Sequence, residues 1–133
     1  MKNTIIGTSV TSKYLSRTDY NVVCLNTNDC TVTLPTMYPY DDGHVVRIKK
    51  LGDGKVKVKM TYCYTWASLT TTRNTVPVLV YNRGSTITGS SNTLDIESTG
   101  ESCEFVWCRD ITYTISGTQY YGAWIQYKLP RDW

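Results

Sequence analysis

The stretch that decides the fold is Thr31–Met60, TVTLPTMYPYDDGHVVRIKKLGDGKVKVKM. In its second half apolar and basic residues alternate, with Val46 and Ile48 on one side and basic residues on the other. The alternation resumes after the Gly-Asp-Gly cluster at 52–54. A period of two residues is typical of a β-strand, and glycines supply the positive φ angles of a hairpin turn. The stretch therefore predicts a β-hairpin with one apolar face and one basic face.

The basic face of this predicted hairpin is a candidate binding surface, and it consists of Arg47, Lys49, Lys55, Lys57 and Lys59. Such a stripe can contact nucleic acid, an anionic glycan or an acidic protein surface. It can also keep a strand solvated and block edge-to-edge aggregation. Because no aromatic residue interleaves with the lysines to stack on bases, solvation or protein contact is favoured over nucleic acid.

Strand signals separated by turn clusters continue on both sides of this stretch. They predict strands at 20–25, 31–34, 76–81, 103–108, 111–115 and 123–129, and a second hairpin that turns at 89–92. Without a helical period, an internal sequence repeat or a low-complexity tract, this pattern predicts a compact all-β domain, an antiparallel sandwich, prism or barrel. Residues 1–13 are predicted to be an N-terminal arm or an edge strand, and residues 14–133 a single domain.

Several of these motifs resemble a small β-domain of bacteriophage tail fibres and tailspikes and of virion proteins of large DNA viruses. The resemblance rests mainly on TVTLP at 31–35, GHVVRIKK at 43–50 and KVKV at 55–58, with shorter matches at 86–90, 105–107 and 122–125. The resemblance spans nearly the whole chain. Two segments, one from the 60s to Tyr81 and one from Arg109 to Tyr121, are longer than in the family.

That resemblance implies a structural role in a virus particle. Domains of this family associate as trimers through apolar faces around a threefold axis. The expectation is a viral structural protein, either a fibre or tailspike head or a small capsid-associated protein, made in the host cytoplasm. It would form a homotrimer, contact other virion proteins and mediate attachment of the particle.

Aromatic residues are the other conspicuous feature, because eleven Tyr and four Trp exceed the needs of a small core. Tyr and Trp are favoured at interfaces and on sugar-binding surfaces, since they combine a large area with a polar group. The residues predicted to lie in loops or at the terminus are Tyr38, Tyr40, Tyr120, Tyr121 and Trp133. They indicate an alternative function, a carbohydrate-binding module that recognises host glycan.

The five cysteines are Cys24, Cys30, Cys63, Cys103 and Cys108, an odd number without a C-x-x-C pair. We expect reduced thiols, although Cys24 with Cys30, or Cys103 with Cys108, would close small loops in an oxidising compartment. The sequence shows neither a secretory signal nor an apolar stretch of membrane-spanning length, so no membrane insertion is expected.

Candidate catalytic and metal-binding residues are few. His44 is the only histidine and has no nucleophile motif beside it, so a structural role is predicted. Asp95 and Glu97 share one strand face and are the acid pair that a polysaccharide-degrading enzyme would use, but solvated strand charges are commoner. Asp41 and Asp42 precede His44 without matching a calcium loop. We therefore predict no catalytic residue, no metal site and no cofactor.

Overall fold

The computed structural model describes residues 2–61, 63–64, 73–74, 78–81, 86–88, 93–115 and 117–128. Within these residues the chain forms β-strands and one 3₁₀ turn at Pro39–Asp41, and it contains no α-helix. The strands are β1 (Lys2–Ile6), β2 (Ser12–Tyr14), β3 (Asp19–Cys24), β4 (Cys30–Thr33), β5 (Val45–Lys50), β6 (Val56–Lys59), β7 (Cys63–Tyr64), β8 (Arg73–Asn74), β9 (Val78–Tyr81), β10 (Thr86–Thr88), β11 (Thr93–Ile96), β12 (Ser102–Ile115) and β13 (Thr118–Lys128).

Two mixed sheets hold all of these strands except β7 and β8, which pair with each other. The larger sheet has seven strands in the order β1-β3-β5-β12-β13-β9-β10, and the smaller has four in the order β11-β6-β4-β2. The predicted all-β class is confirmed. β1 and β2, which include most of the N-terminal segment 1–13, each lie at the edge of a sheet.

Up to Lys59 the chain winds alternately between the two sheets. β1, β3 and β5 are neighbours in the larger sheet, β2, β4 and β6 are neighbours in the smaller one, and all these pairs are parallel. Because consecutive strands belong to different sheets, the chain re-enters each sheet in the same direction, as in a solenoid. The predicted antiparallel arrangement was therefore wrong for this half of the fold. Among the described strands, antiparallel pairs occur where β10 to β13 join and between β7 and β8.

The hairpin predicted from the decisive stretch does not form, because β5 and β6 lie in different sheets. Residues 51–55 instead form a corner between the sheets, and residues 7–11 and 25–29 are the equivalent corners of the two preceding coils. The corners stack through backbone hydrogen bonds, such as that from the Leu51 amide to the Cys24 carbonyl at 2.9 Å. The second predicted hairpin was also wrong, since β10 and β11 belong to different sheets.

Close packing explains the Gly-Asp-Gly cluster of the third corner. Neither Gly52 nor Gly54 has a positive φ, contrary to the expectation from a hairpin turn. The Gly54 amide donates to the carbonyl oxygen of Asn26 at 2.9 Å, and the buried Asn26 side chain donates to the Asn28 carbonyl at 2.7 Å. Glycine is needed at 54 because the backbone of the neighbouring corner lies where a Cβ would be.

The core lies between the facing sides of the two sheets, whose buried residues form one hydrophobic cluster. The predicted alternation is confirmed in β5 and β6, and the first half of β12 alternates in the same way, with every second side chain buried. The largest fully buried apolar residues are Trp107, Trp124, Phe105, Ile6, Leu34, Met37, Ile48, Met60 and Ile96. Because every second side chain of each of these strands points inward, the buried residues of both sheets meet in one core.

All five cysteines are free thiols. Cys103 and Cys108 lie in the same strand five residues apart, which separates their Cα atoms by about 16 Å. A disulfide needs Cα atoms within about 7 Å, so this fold excludes the Cys103–Cys108 loop. Burial raises the pKa of the Cys24 and Cys63 thiols to about 12, so neither is an activated nucleophile.

Asp19, at the start of β3, ties the first two coils together. Its buried carboxylate accepts hydrogen bonds from the Thr4 hydroxyl and from the Ser16 amide at 2.7 Å, and Lys2 Nζ lies 3.5 Å away. Burial alone would raise the pKa of Asp19, but these hydrogen bonds and the lysine charge together lower it below the ordinary 3.8.

We expect the stability of the fold to depend on pH through Asp19. Because the folded pKa is depressed, the stabilisation is complete above the unfolded pKa and is lost as the pH falls below 3.8 through the folded pKa. Asp19→Asn should lower the free energy of unfolding by about 2 kcal/mol at neutral pH. It should also reduce the loss of stability as the pH becomes acidic. Urea unfolding between neutral and acidic pH measures both effects. Asp53→Asn, at an exposed corner position, is the control, and an equal change in the two variants would contradict the assignment.

Candidate binding site at the long corner

The corners on the second side of the winding differ in length, and the longer one carries the candidate site. The chain passes from β2 to β3 through residues 15–18 but from β4 to β5 through residues 34–44. The longer corner contains Pro35 and the 3₁₀ turn. Loops inserted between regular coils emerge on one side of an array, and such loops commonly carry binding residues.

Arg17, in the short corner, holds the long corner in place. Its Nε and Nη2 atoms donate to the two carboxylate oxygens of Asp41, both at 2.8 Å. The same carboxylate accepts the Tyr38 amide at 2.9 Å. These hydrogen bonds raise the pKa of Arg17 against the opposing effect of its partial burial. A bidentate guanidinium–carboxylate pair is directional, so it fixes the orientation of the 3₁₀ turn.

The two tyrosines of the long corner form a stacked pair. The ring centroids of Tyr38 and Tyr40 are 5.3 Å apart, with 14° between their planes. The guanidinium carbon of Arg17 lies 4.7 Å from the Tyr38 centroid and 4.9 Å from that of Tyr40. Tyr40 is nevertheless 62% exposed. The cluster therefore presents a large aromatic surface to solvent in a fixed position.

An open depression of about 450 Å³ lies beside Tyr40. It is lined by Tyr20, Tyr40, Asp41, Asp42, Gly43, His44 and Val45. β12 anchors its floor, because the Gly43 amide donates to the Trp107 carbonyl at 2.8 Å. The Arg109 amide donates to Asp42 Oδ1 at 2.9 Å, which fixes that carboxylate. The depression is thus part of the folded framework.

His44 and Tyr20 form the other wall of the depression. The Nε2 atom of His44 lies 3.2 Å from the carbonyl oxygen of Asp19, an acceptor, so Nε2 carries the proton. The imidazole also meets the Trp124 ring edge-on at 6.4 Å. The guanidinium of Arg47 covers the ring of Tyr20 at 5.3 Å and pairs with Glu104 at 3.2 Å. These contacts fix both residues.

The acidic side chains Asp41, Asp95 and Glu97 all take part in ion pairs. Asp41 is neutralised by Arg17, which removes it as a general acid or a cation ligand. Asp95 and Glu97 lie 3.8 and 3.7 Å from Lys55 Nζ, at the edge strand of the smaller sheet and its end. Across the described part of the chain, no three His, Cys, Asp or Glu side chains converge on a metal site.

The predicted basic face is divided by the fold, and the single surface was wrong. Arg47 and Lys49 lie on the outer side of the larger sheet, whereas Lys55, Lys57 and Lys59 lie on and beside β6 in the smaller one. Lys57 is 3.9 Å from Asp29, and Arg47 and Lys55 have the acidic partners already described. The separation and these ion pairs weaken the case for a polyanion surface.

The five predicted aromatic residues have different outcomes. Tyr38 and Tyr40 lie together in the long corner. Tyr120 and Tyr121 lie inside β13, so their predicted placement in a loop was wrong. Trp133 lies outside the described residues. Arg17 was missed because it is 24 residues from Asp41, and no local pattern connects the two.

No protein-family model matches the chain, and comparisons with curated proteins and with solved structures found no significant similarity. Among the described residues, no helix has the length and apolar character to cross a membrane.

Proposed function

We propose that this protein is a non-enzymatic structural protein of a virus particle, a fibre or tailspike head or a small capsid-associated protein. It assembles as a homotrimer, contacts other virion proteins and mediates attachment. The motif resemblance of residues 31–58 supports the viral origin. The observation that carries the assembly is the outer side of the larger sheet, which exposes apolar side chains away from the core.

Apolar side chains form two rows on this outer side. Ile5 in β1 is the register partner of Val23 in β3, and Ile5 is 64% exposed. Val106 is the partner of both Val45 and Ile125, which form the second row across β5, β12 and β13. Tyr127, 62% exposed, lies farther along β13. Ile5 and Tyr127 are exposed, whereas Val23, Val45, Val106 and Ile125 are half-buried. Exposed apolar side chains on one face of a sheet are a feature of protein interfaces.

A polar row lies between the two apolar rows. The Asn21 side chain donates to that of Asn3 at 3.1 Å, and the ion pair of Arg47 with Glu104 continues the row. Apolar contacts around satisfied polar groups are the usual composition of a subunit interface. A closed threefold arrangement buries such a face on every subunit without leaving a free copy of it.

We expect light scattering of the wild-type protein to give three times the 15.1 kDa chain mass. Ile5→Glu and Tyr127→Glu should each shift the trimer to monomer, because each buries an uncompensated charge in the interface. Tyr14→Glu is the matched control, since Tyr14 is 72% exposed in the edge strand of the other sheet. A monomeric wild type, or a trimer unchanged by both outer-face variants, would refute the proposed assembly.

A second candidate function, recognition of host glycan, is favoured by one observation. The stacked Tyr38 and Tyr40 rings adjoin a depression whose rim combines aromatic rings with hydrogen-bonding side chains. That combination of apolar area and fixed polar groups is the usual composition of a small-ligand site. Binding of the wild-type protein to a glycan array tests this function independently of the oligomeric state.

A further inference from the structure

We infer that the depression at the long corner binds a neutral saccharide, whose pyranose ring packs on Tyr40 and whose hydroxyl groups donate to Asp42 and His44. This inference rests on the glycan-binding function proposed above, and it specifies the site and the class of ligand.

The aromatic part of the site is preorganised. Tyr40 packs against Tyr38 and Arg17, yet 62% of its surface is exposed. A pyranose ring has an apolar C–H face that can cover such a ring and remove both surfaces from water. Because Arg17 and Asp41 already hold the turn, little conformational freedom is lost when a ligand binds.

The polar part of the site offers acceptors to hydroxyl donors. One oxygen of Asp42 accepts the Arg109 amide, and within the described ranges the other oxygen has no hydrogen-bond partner. Nε2 of His44 donates to the Asp19 carbonyl, which leaves Nδ1 as the ring nitrogen that accepts in the neutral tautomer. Hydrogen bonds from a hydroxyl to a carboxylate are charge-assisted and therefore stronger than neutral ones. Asp42 and His44 both line the depression that Tyr40 also lines.

The charges around the depression select a neutral ligand. Asp41 is paired with Arg17, whereas the carboxylate of Asp42 has no cationic partner among the residues that the structure describes. An anionic sugar placed there would be repelled by Asp42. A cationic ligand on Tyr40 would approach the Arg17 guanidinium, which lies 4.9 Å from that ring. Neutral hydroxyls avoid both repulsions.

The test uses lactose, cellobiose and mannobiose as neutral probes and 3′-sialyllactose as the anionic one, measured by saturation-transfer NMR and calorimetry on the full chain. We expect at least one neutral disaccharide to bind, and sialyllactose to bind no more tightly than lactose. Tyr40→Ala should weaken binding about tenfold, and Tyr40→Phe should restore most of it because the ring remains. Asp42→Asn keeps an oxygen for Arg109 but removes the charge, and should weaken binding about fivefold.

Tyr14→Ala is the matched control, because it removes a tyrosine of similar exposure on the other sheet and should leave affinity unchanged. Thermal unfolding of each variant confirms that it is folded. If the wild type binds none of the neutral probes, the glycan-binding function and this site both fail. If it binds but Tyr40→Ala and Asp42→Asn bind equally well, the function stands and the site is wrong. Tighter binding of sialyllactose than of lactose would overturn the selection for neutral ligands.

Discussion

Gly122→Ala should destabilise the protein by about 4 kcal/mol, the largest effect that we expect from a single methyl group. Gly122 lies in β13 with φ of 93°, a conformation that L residues rarely adopt. A Cβ there would lie 2.5 Å from Cζ2 and 2.8 Å from Cη2 of Trp107. Trp107 is fully buried and meets Trp124 edge-on at 5.7 Å, so its indole cannot move without disturbing the core.

The control for this variant separates backbone strain from overlap with the core. Gly100 has the same φ of 93°, but a Cβ there would meet nothing within 4 Å. Gly100→Ala should therefore cost only about 1–2 kcal/mol, the strain of the backbone alone. Chemical denaturation of both variants gives the difference that belongs to the Trp107 overlap. Equal losses in the two variants would show that the indole has room to move and would refute the packing argument.

Gly54→Ala should cost about 3 kcal/mol, because the new methyl group would overlap backbone and not a flexible side chain. The Cβ would lie 2.5 Å from the carbonyl carbon of Asn28, closer still to its oxygen, and 2.8 Å from Asn26 Nδ2. Asn26 Nδ2 donates to the carbonyls of Asn28 and Lys55, at 2.7 and 3.2 Å, so these groups cannot separate without losing buried hydrogen bonds.

Gly7 is the matched control for Gly54, because it occupies the first corner of the same winding. A Cβ at Gly7 would have only Val10 nearby, at 3.9 Å. Gly7→Ala should change the free energy of unfolding by no more than about 0.5 kcal/mol. Any increase would be small and would arise because alanine lowers the conformational entropy of the unfolded chain. Thermal or denaturant unfolding compares the two variants. A neutral Gly54→Ala would contradict the close stacking of the third corner on the second.

Part of the candidate site could be predicted from sequence and part could not. The composition of residues 37–43 predicts a loop, and it therefore predicts that Tyr38 and Tyr40 lie in a loop. The contribution of Arg17 and Tyr20 depends on the short corner and β3 lying beside the long corner. The division of the basic residues likewise depends on which sheet each strand enters. Local alternation reports which way a side chain points from its own strand, not which strand lies next to it.

The sequence by itself determined the all-β class, the positions of most strands and the buried side of β5, β6 and β12. These follow from local sterics and from the period of two, which act within a strand. Only the tertiary structure decided that the Gly-Asp-Gly cluster turns a corner between two sheets and does not close a hairpin. Two glycines satisfy either arrangement locally, and the stacking of the corner on Asn26 and Asn28 selects between them. That contact joins residues more than twenty positions apart, so it exists only once the coils are stacked.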